Sequence, residues 1–505
     1  MPIIVLFLDT LGFSPPIWPN WKYDRQLTGR CPYIGPEQPE IDWVFDTQDT
    51  FRFTSASVVI SGDSTIYFCS PDSFLFAVKP NGVLKWRFKT RGRPYFPAID
   101  ESGRIYCSVA GDSIYLLTLD DSITYAKFVW SWSMPNNNNL VALPPINIGV
   151  DKTTYMSADS MRAIDSAGNI KWTCHRGMTS AYPPALSHDG SKLFYEWCYD
   201  QWTNTLASRD TSGALNWYRV IGPAPMSLAW GSPAIGRDSA IYFSTADGRL
   251  LGLWPNNTDK WAPQNNLGAL NFMTVSLGSN DTLWLMNYGK RPTYRKFSPD
   301  NGIITFIDSV TTLPSVYNFF NSYIIDSLGQ AYIVLRDSQT TSSILYAFNA
   351  DGTVKWSIPL TGSSFTPRSF PAIGPNHKIY VCAGTKLFAI RDGSNIAESK
   401  KERKKPFFFD VYPNPFTRHC VIEFQIPSRH SDWRVKSRSE VSLIIYDISG
   451  RVVKSFNSTI STKNQISKIH WFGNDDSGRK LPPGAYFLVI KTFEFVVEKK
   501  VVKAN

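Results

Sequence analysis

The sequence predicts an all-β chain in two parts, a ring of eight four-stranded sheets followed by a small β-sandwich. Three observations predict it. Among the 505 residues, 14% are aromatic and only 19% charged, which suits aromatic-rich strands and excludes a disordered chain or a coiled coil. An apolar residue followed by an aromatic recurs at regular intervals along residues 40–390. Beyond residue 400 that repeat stops, and longer alternating runs separated by turns replace it.

Residues 1–34 precede the repeat. Met1 to Leu8 is a short apolar run with no basic flank, below the roughly 7–15 apolar residues of a signal peptide, and reads as a candidate remnant of a signal region. The longest uncharged stretch, Phe128 to Val150, contains four consecutive Asn and three Pro. It reads as strand, loop, strand, so no transmembrane segment is expected.

The repeat occupies 35–395. Its most regular marker is Ile66-Tyr67, Ile105-Tyr106, Phe194-Tyr195, Ile241-Tyr242, Leu283-Trp284, Ala331-Tyr332 and Ile379-Tyr380, with Thr154-Tyr155 the weakest copy. An alternating segment such as Leu75-Phe76-Ala77-Val78 follows, then a Gly turn and a terminal aromatic, as in Asn81-Gly82-Val83-Leu84-Lys85-Trp86. Several copies open on Pro-Ala-Ile or Pro-Ala-Leu, as at Pro97, Pro184, Pro233 and Pro371. Four short β segments per unit are the signature of a propeller blade. The terminal aromatics Trp43, Trp86, Trp132, Trp172, Trp217, Trp261, Phe306 and Trp356 lie 40 to 50 residues apart, which gives eight blades. Trp43 precedes the first Tyr marker, and Tyr380 has no terminal aromatic after it. Both mismatches vanish if the segment around Ile41 to Asp46 supplies the outer strand of the last blade. The N-terminal strand is therefore expected to close the ring and remove two unpaired edges.

The chain carries 52 Lys plus Arg and 42 Asp plus Glu, a net charge of +10. Residues 400–505 hold 20 of the basic and 10 of the acidic residues, which leaves 32 of each in 1–399. The excess is thus entirely C-terminal. The run Lys400-Lys401-Glu402-Arg403-Lys404-Lys405 reads as part of a solvated linker, 396–405, ahead of a domain at 406–505. Nothing in 1–399 arrays cations with stacking aromatics, so no nucleic-acid partner is expected.

Seven cysteines are widely spaced, with no CxxC and no adjacent pair, so a structural zinc site is not expected. Cys69, Cys107 and Cys382 each follow a Tyr within two residues and read as buried strand residues, while disulfide status is undecided by sequence.

The repeat resembles the quinoprotein-like, or PQQ-like, propeller family, with its Pro-Ala-Ile opening, Ile-Tyr strand and Gly-x-x-Lys-Trp ending. The resemblance implies tryptophans that dock between neighbouring blades. It also implies two kinds of member, quinone-dependent dehydrogenases and cofactor-free scaffolds. Dehydrogenases often place their quinone and calcium against a disulfide of adjacent cysteines, which this chain lacks. Its acidic residues, as in Gly62-Asp63-Ser64, fall at turn positions where Asp serves local hydrogen bonds. No catalytic residue, cofactor or metal ligand is therefore assigned. The propeller is expected to recognise a protein or glycan across one face, and Trp197, Tyr199 and Trp202, in an insertion of the fourth blade, are the candidate contacts.

In 406–505, alternating runs flank Val411-Tyr412-Pro413-Asn414-Pro415-Phe416, Asp447-Ile448-Ser449-Gly450-Arg451 and Gly484-Ala485-Tyr486, and describe a small antiparallel sandwich. Pro413 and Pro415 fix an extended entry, and Gly484 permits a turn before the last hairpin. These motifs, with the terminal Lys499-Lys500-Val501-Val502-Lys503, resemble the C-terminal sorting domain of type IX secretion cargo (the Por secretion tail). Trp471-x-Gly473-x-Asp475 is similar to the immunoglobulin-like domain of flagellar hook-capping proteins. The resemblance implies an immunoglobulin-like fold and the type IX machinery as partner. It also implies a secreted or outer-surface bacterial protein, with Pro413, Asn414, Pro415, Asp447, Gly450, Arg451, Gly484 and Tyr486 as motif residues. The expected function is binding or scaffolding, and the alternative is an extracellular enzyme, carbohydrate-active or a quinone-dependent dehydrogenase.

Overall fold

The computed structural model describes residues 16–49, 55–110, 113–121, 126–135, 145–157, 160–174, 183–198, 203–223, 232–245, 248–264, 274–286, 289–290, 293–309, 316–318, 322–337, 339–362, 368–375, 377–393, 408–425, 441–447, 452–458, 466–491 and 496–504. The chain divides into two compact units, Met1–Asn395 and Ile396–Asn505. Both are all-β. Among the described residues the only helical element is a 3-10 turn at Ser279–Asp281, and no helix is long and apolar enough to cross a membrane.

The first unit is a succession of mainly antiparallel sheets, most of whose strands follow one another in sequence. The fifth is typical: Ala234–Ile235, Ile241–Ser244, Leu250–Leu253 and Asp259–Gln264 pair in that order. The Pro-Ala-Ile opening becomes the short first strand and the Ile-Tyr marker the second. Second strands such as Ile66–Ser70 are buried along their whole length, because neighbouring sheets cover both faces. Fourth strands such as Leu84–Lys89 mix buried and exposed positions, as an edge bordering solvent requires. Several sheets depart from that order: Arg368–Phe370 adds to the first sheet, parallel to Ser55–Ile60, and Gly289–Lys290 pairs with Val316–Asn318 of a later sheet. Strand Pro39–Asp46 pairs antiparallel with Lys386–Asp392, beside Lys378–Ala383 and Ala372–Gly374, so segments from the two ends of the unit share one sheet.

A bulge recurs in the fourth strands, one residue before the terminal aromatic. Leu84 faces Val78 and Trp86 faces Ala77, leaving Lys85 as the extra residue. Lys171, Asn216, Lys260, Thr305, Lys355 and Asp42 occupy the same place in other sheets. Such a bulge tightens the twist and turns the Lys back across its own sheet. Lys85 meets Asp63 at 3.4 Å, Lys171 meets Asp151 at 2.9 Å, and Lys260 meets Asp238. These carboxylates also accept local bonds, Asp63 from the Thr65 amide and Asp151 from the Thr153 amide. The turn aspartates thus have structural partners. In the second sheet the register corrects the sequence reading. Trp130, opposite Thr118 just past the bulge, takes the marker position that the spacing had given to Trp132.

The tryptophans link successive sheets. The Trp43 indole donates to the Pro80 carbonyl at 3.0 Å, Trp172 to Thr211 at 2.9 Å, Trp217 to Pro255 at 2.9 Å, Trp261 to Pro299 at 3.2 Å, and Trp356 to Pro36 at 2.9 Å. Each acceptor lies in the next sheet's last turn or at its entry. Gly213, with φ +95°, leaves room for the Trp172 ring, whose Cγ would sit 2.7 Å from an added Cβ.

The second unit has a three-stranded sheet, Phe408–Tyr412, Cys420–Gln425 and Ile466–Trp471. Its four-stranded sheet runs Val452–Ser458, Val441–Asp447, Gly484–Lys491, Val496–Lys503. Both contribute to a single core that includes Val411, Ile422, Ile445, Trp471, Tyr486 and Leu488.

Candidate functional site

In the first unit the most informative segment is one that the sequence left unassigned. Residues 18–31 run along the ends of the first strands, sheet after sheet. Trp18 exchanges both backbone bonds with Ile60, and the Pro19 carbonyl accepts the Ile99 amide at 2.8 Å. The Arg25 guanidinium donates to the Ile148 carbonyl at 2.9 Å. Carbonyls of Arg25, Gln26, Thr28 and Gly29 then accept the amides of Leu186, Ile235, Leu277 and Ile325. Most first strands pair with a strand on one side only, so this strap satisfies amides that would otherwise be left unpaired.

The strap also fills space. Trp18, Trp21 and Leu27 are at most 1% exposed, and Trp21 meets Phe370 edge-on at 4.9 Å. Lys22 is fully buried, its ammonium donating to the Val275 carbonyl at 2.5 Å and to Thr274 Oγ1 at 3.3 Å. Burial pulls this amine from 10.5 down to about 7, against the opposing pull of Asp24. Asp24 accepts the Thr28 amide at 2.8 Å and the Thr28 hydroxyl at 2.5 Å, yet its burial still pushes the carboxyl up. A sequence signal for this packing was available, in the density of Pro and Trp through Pro15-Pro16-Ile17-Trp18-Pro19-Asn20-Trp21.

Between the strap and the turns that follow the first strands of three sheets lies a cavity of about 330 Å³, lined by Tyr23, Asp24, Arg25, Gln26, Glu101 and His188 among others. Arg25 Nη2 pairs with Glu101 at 2.7 Å, and His188 Nε2 lies 2.8 Å from the Gly236 carbonyl. The lining sets these charged and hydrogen-bonding groups beside apolar ones, among them Pro19, Ile99, Ile148 and Val150. None of these residues was assigned a role from sequence. Of the three that were, Trp197 stands in strand Lys192–Cys198 opposite Thr205, while Tyr199 and Trp202 lie outside the described residues. Among the described residues no three His, Cys, Asp or Glu side chains come together to hold a metal ion.

In the second unit the separate motifs converge. Tyr412-Pro413 and Asn414-Pro415 are cis bonds. Asn414 Oδ1 accepts the Val502 amide at 2.8 Å, and the Phe416 amide donates to the Val502 carbonyl at 2.9 Å. The Pro-Asn-Pro-Phe motif therefore holds the terminal Lys-Val-Val-Lys motif directly. Phe416 packs on Trp471 (5.3 Å between centroids), and Trp471 meets Tyr486 edge-on at 5.3 Å. Gly473, with φ +65°, lets the Lys503 side chain lie against it, since an added Cβ would stand 2.6 Å from Lys503 Cε. Asp447 pairs with Tyr486 across neighbouring strands, and Gly450 and Arg451 lie outside the described residues.

Comparison with known proteins fits both units. Residues 410–504 match the family described as the secretion system C-terminal sorting domain. No curated protein matches the sequence. Among solved structures, BamB from Moraxella catarrhalis is similar at 15% identity, with a TM-score of 0.50, over 70% of this chain and 98% of that one. The quinohemoprotein alcohol dehydrogenase from Comamonas testosteroni is similar at 11% identity, with a TM-score of 0.57, over 74% of this chain and 80% of that one. The C-terminal WD40 domain of Sif2 is similar at 9% identity, with a TM-score of 0.53, over 72% of this chain and 99% of that one. At these identities the likeness is one of fold alone. The sorting tail marks the chain for export to the cell surface or beyond it. Residues 410–504 thus carry a secretion system C-terminal sorting domain, and the first unit is an all-β, propeller-like fold of the kind found in BamB and the quinoprotein dehydrogenases.

Proposed function

We propose that this is a secreted or surface-displayed binding or scaffold protein whose propeller recognises a protein or glycan and whose C-terminal domain engages the type IX secretion machinery. In this reading 35–395 is an eight-bladed ring closed by strand Pro39–Asp46, residues 396–405 are a linker, and 406–505 is an immunoglobulin-like sandwich. The pairing of Pro39–Asp46 with Lys386–Asp392 supports the closure. Residues 16–34, which precede the repeat, bond along the same sheets and in this reading belong with the ring.

The observation that carries the binding reading is the strap. A propeller dehydrogenase keeps its central opening for a quinone and calcium, whereas here Trp21, Lys22 and Leu27 of the chain itself occupy the inner strand ends. With these strand ends already taken by the chain's own segment, the residues there do not fit that group, and recognition falls to the turns and loops of the faces. The cavity beside Arg25, Glu101 and His188 supplies the polar contacts that a sugar or peptide needs.

Two experiments test the two halves. In a type IX-competent host, deletion of 406–505 should leave the protein in the periplasm, and unimpaired surface display of the truncated chain sinks the sorting role. The purified full chain should bind members of a glycan and peptide array, with loss on Arg25→Ala. An array without a single hit overturns recognition.

A further inference from the structure

Export carries the chain into compartments that oxidise thiols, and two of its cysteines share one buried core. Cys69 lies in strand Ile66–Ser70 of the first sheet, and Cys107 in strand Arg104–Ala110 of the second. Strand alternation explains how they meet. Cys69 is two residues from Tyr67 and shares its face, whereas Cys107 follows Tyr106 directly and takes the opposite face. The Tyr face of each sheet looks toward the next one: Trp43 packs beside Tyr380 and reaches Pro80 of the following sheet, and Trp172 beside Tyr155 reaches Thr211. The one-residue difference in phase therefore aims Cys69 forward and Cys107 backward, into the same interface. Both side chains, 3% and 0% exposed, are buried in a core that the two sheets share, where the thiols are close enough to interact. Cys382 is near Cys69 but sits in a third sheet, on the face that shares Tyr380's side.

We propose that Cys69 and Cys107 form a disulfide that ties the first two sheets together once the chain leaves the cytoplasm. The reaction is thiol–disulfide exchange with an oxidising disulfide, either an oxidase of the export compartment or oxidised glutathione in vitro. The Cys69 thiolate attacks the oxidant's disulfide and expels one thiol. The Cys107 thiolate then attacks the mixed disulfide on the Cys69 sulfur and expels the second. Two protein thiols lose two electrons and two protons, and the oxidant is released as two thiols. Burial pushes the Cys69 thiol well up, so little thiolate exists in the folded chain, and the bond forms during folding. The cytoplasmic form stays reduced.

The proposal depends on export for its biology, but its chemistry is tested without it. The full chain is unfolded, refolded with reduced and oxidised glutathione, then alkylated in denaturant and peptide-mapped. Five of the seven cysteines should be alkylated, with the 69–107 linkage recovered, and the Tm should fall on reduction. Cys107→Ser should refold with all six remaining thiols alkylated and a Tm that ignores reductant. Seven alkylated cysteines after oxidative refolding, or a dominant 69–382 linkage, overturns the proposal. The same mapping on protein recovered from the cell surface of the native host must also give the 69–107 bond. A reduced pair there refutes its formation in the cell, whatever the outcome of the sorting-domain deletion.

Discussion

Replacing Lys22 by Met probes the strap at its least comfortable point. The ammonium is fully buried with two neutral acceptors, and burial lowers it from 10.5 to about 7. The unfolded chain therefore binds this proton more tightly than the folded chain between pH 7 and 10.5, so wild-type stability rises with pH across that window. At about 1.4 kcal/mol per decade, the buried charge costs about 4 kcal/mol at pH 7 and about 2 kcal/mol at pH 9. The methionine is free of that cost but leaves the Val275 carbonyl without its donor, worth about 1–3 kcal/mol at every pH. Chemical denaturation followed by tryptophan fluorescence should find K22M at least as stable as wild type at pH 7. The wild type should then gain about 2 kcal/mol relative to the variant by pH 9. Because Asp24 is present in both proteins, the difference isolates the amine to first order. Parallel stability curves from pH 6 to 9.5 would refute a buried, proton-losing lysine.

Three further outcomes follow from the packing. Gly213→Ala places a Cβ against the Trp172 ring at φ +95° and should destabilise the first unit by about 2–3 kcal/mol in thermal or chemical unfolding; an unchanged midpoint would mean that the ring does not dock there. Asn414→Ala removes the acceptor of the Val502 amide and should cost about 1 kcal/mol, with faster hydrogen exchange at Val502; protection equal to wild type would separate the two motifs. Gly473→Ala strains a φ of +65° by about 1 kcal/mol and displaces Lys503, so surface display should drop while the propeller's unfolding stays unchanged. Full display would show that the Gly473–Lys503 contact is not read during sorting.

The all-β fold was legible because a blade writes itself several times. No single Ile-Tyr pair is informative, but their recurrence with Gly turns fixes strand order, and the misplaced Trp43 pointed to the pairing that joins it to Lys386–Asp392. The sorting tail was legible for a different reason, since four motifs stand in order over a short span. Two things were hidden. The phase of a marker within a strand is invisible where two tryptophans share a face, which is why Trp130 and Trp132 were exchanged. The strap, occurring once, has no repeat to betray it, and its backbone bonds are indifferent to side-chain identity. The cavity residues Arg25 and Glu101 come from segments 76 positions apart, so no local spacing could have paired them.

The strap also sets a timetable. Its residues are made before every sheet they bind, since its partners run from Ile60 to Ile325, and Gly393 still bonds back to Gln38. Those contacts span almost the whole first unit, so the strap waits longest for its place. Folding dominated by such distant pairings is slow and cannot finish while the later sheets are missing. A chain with this wiring stays open for as long as its synthesis or passage through a membrane is incomplete, which suits a protein whose sorting signal follows the sheets in sequence.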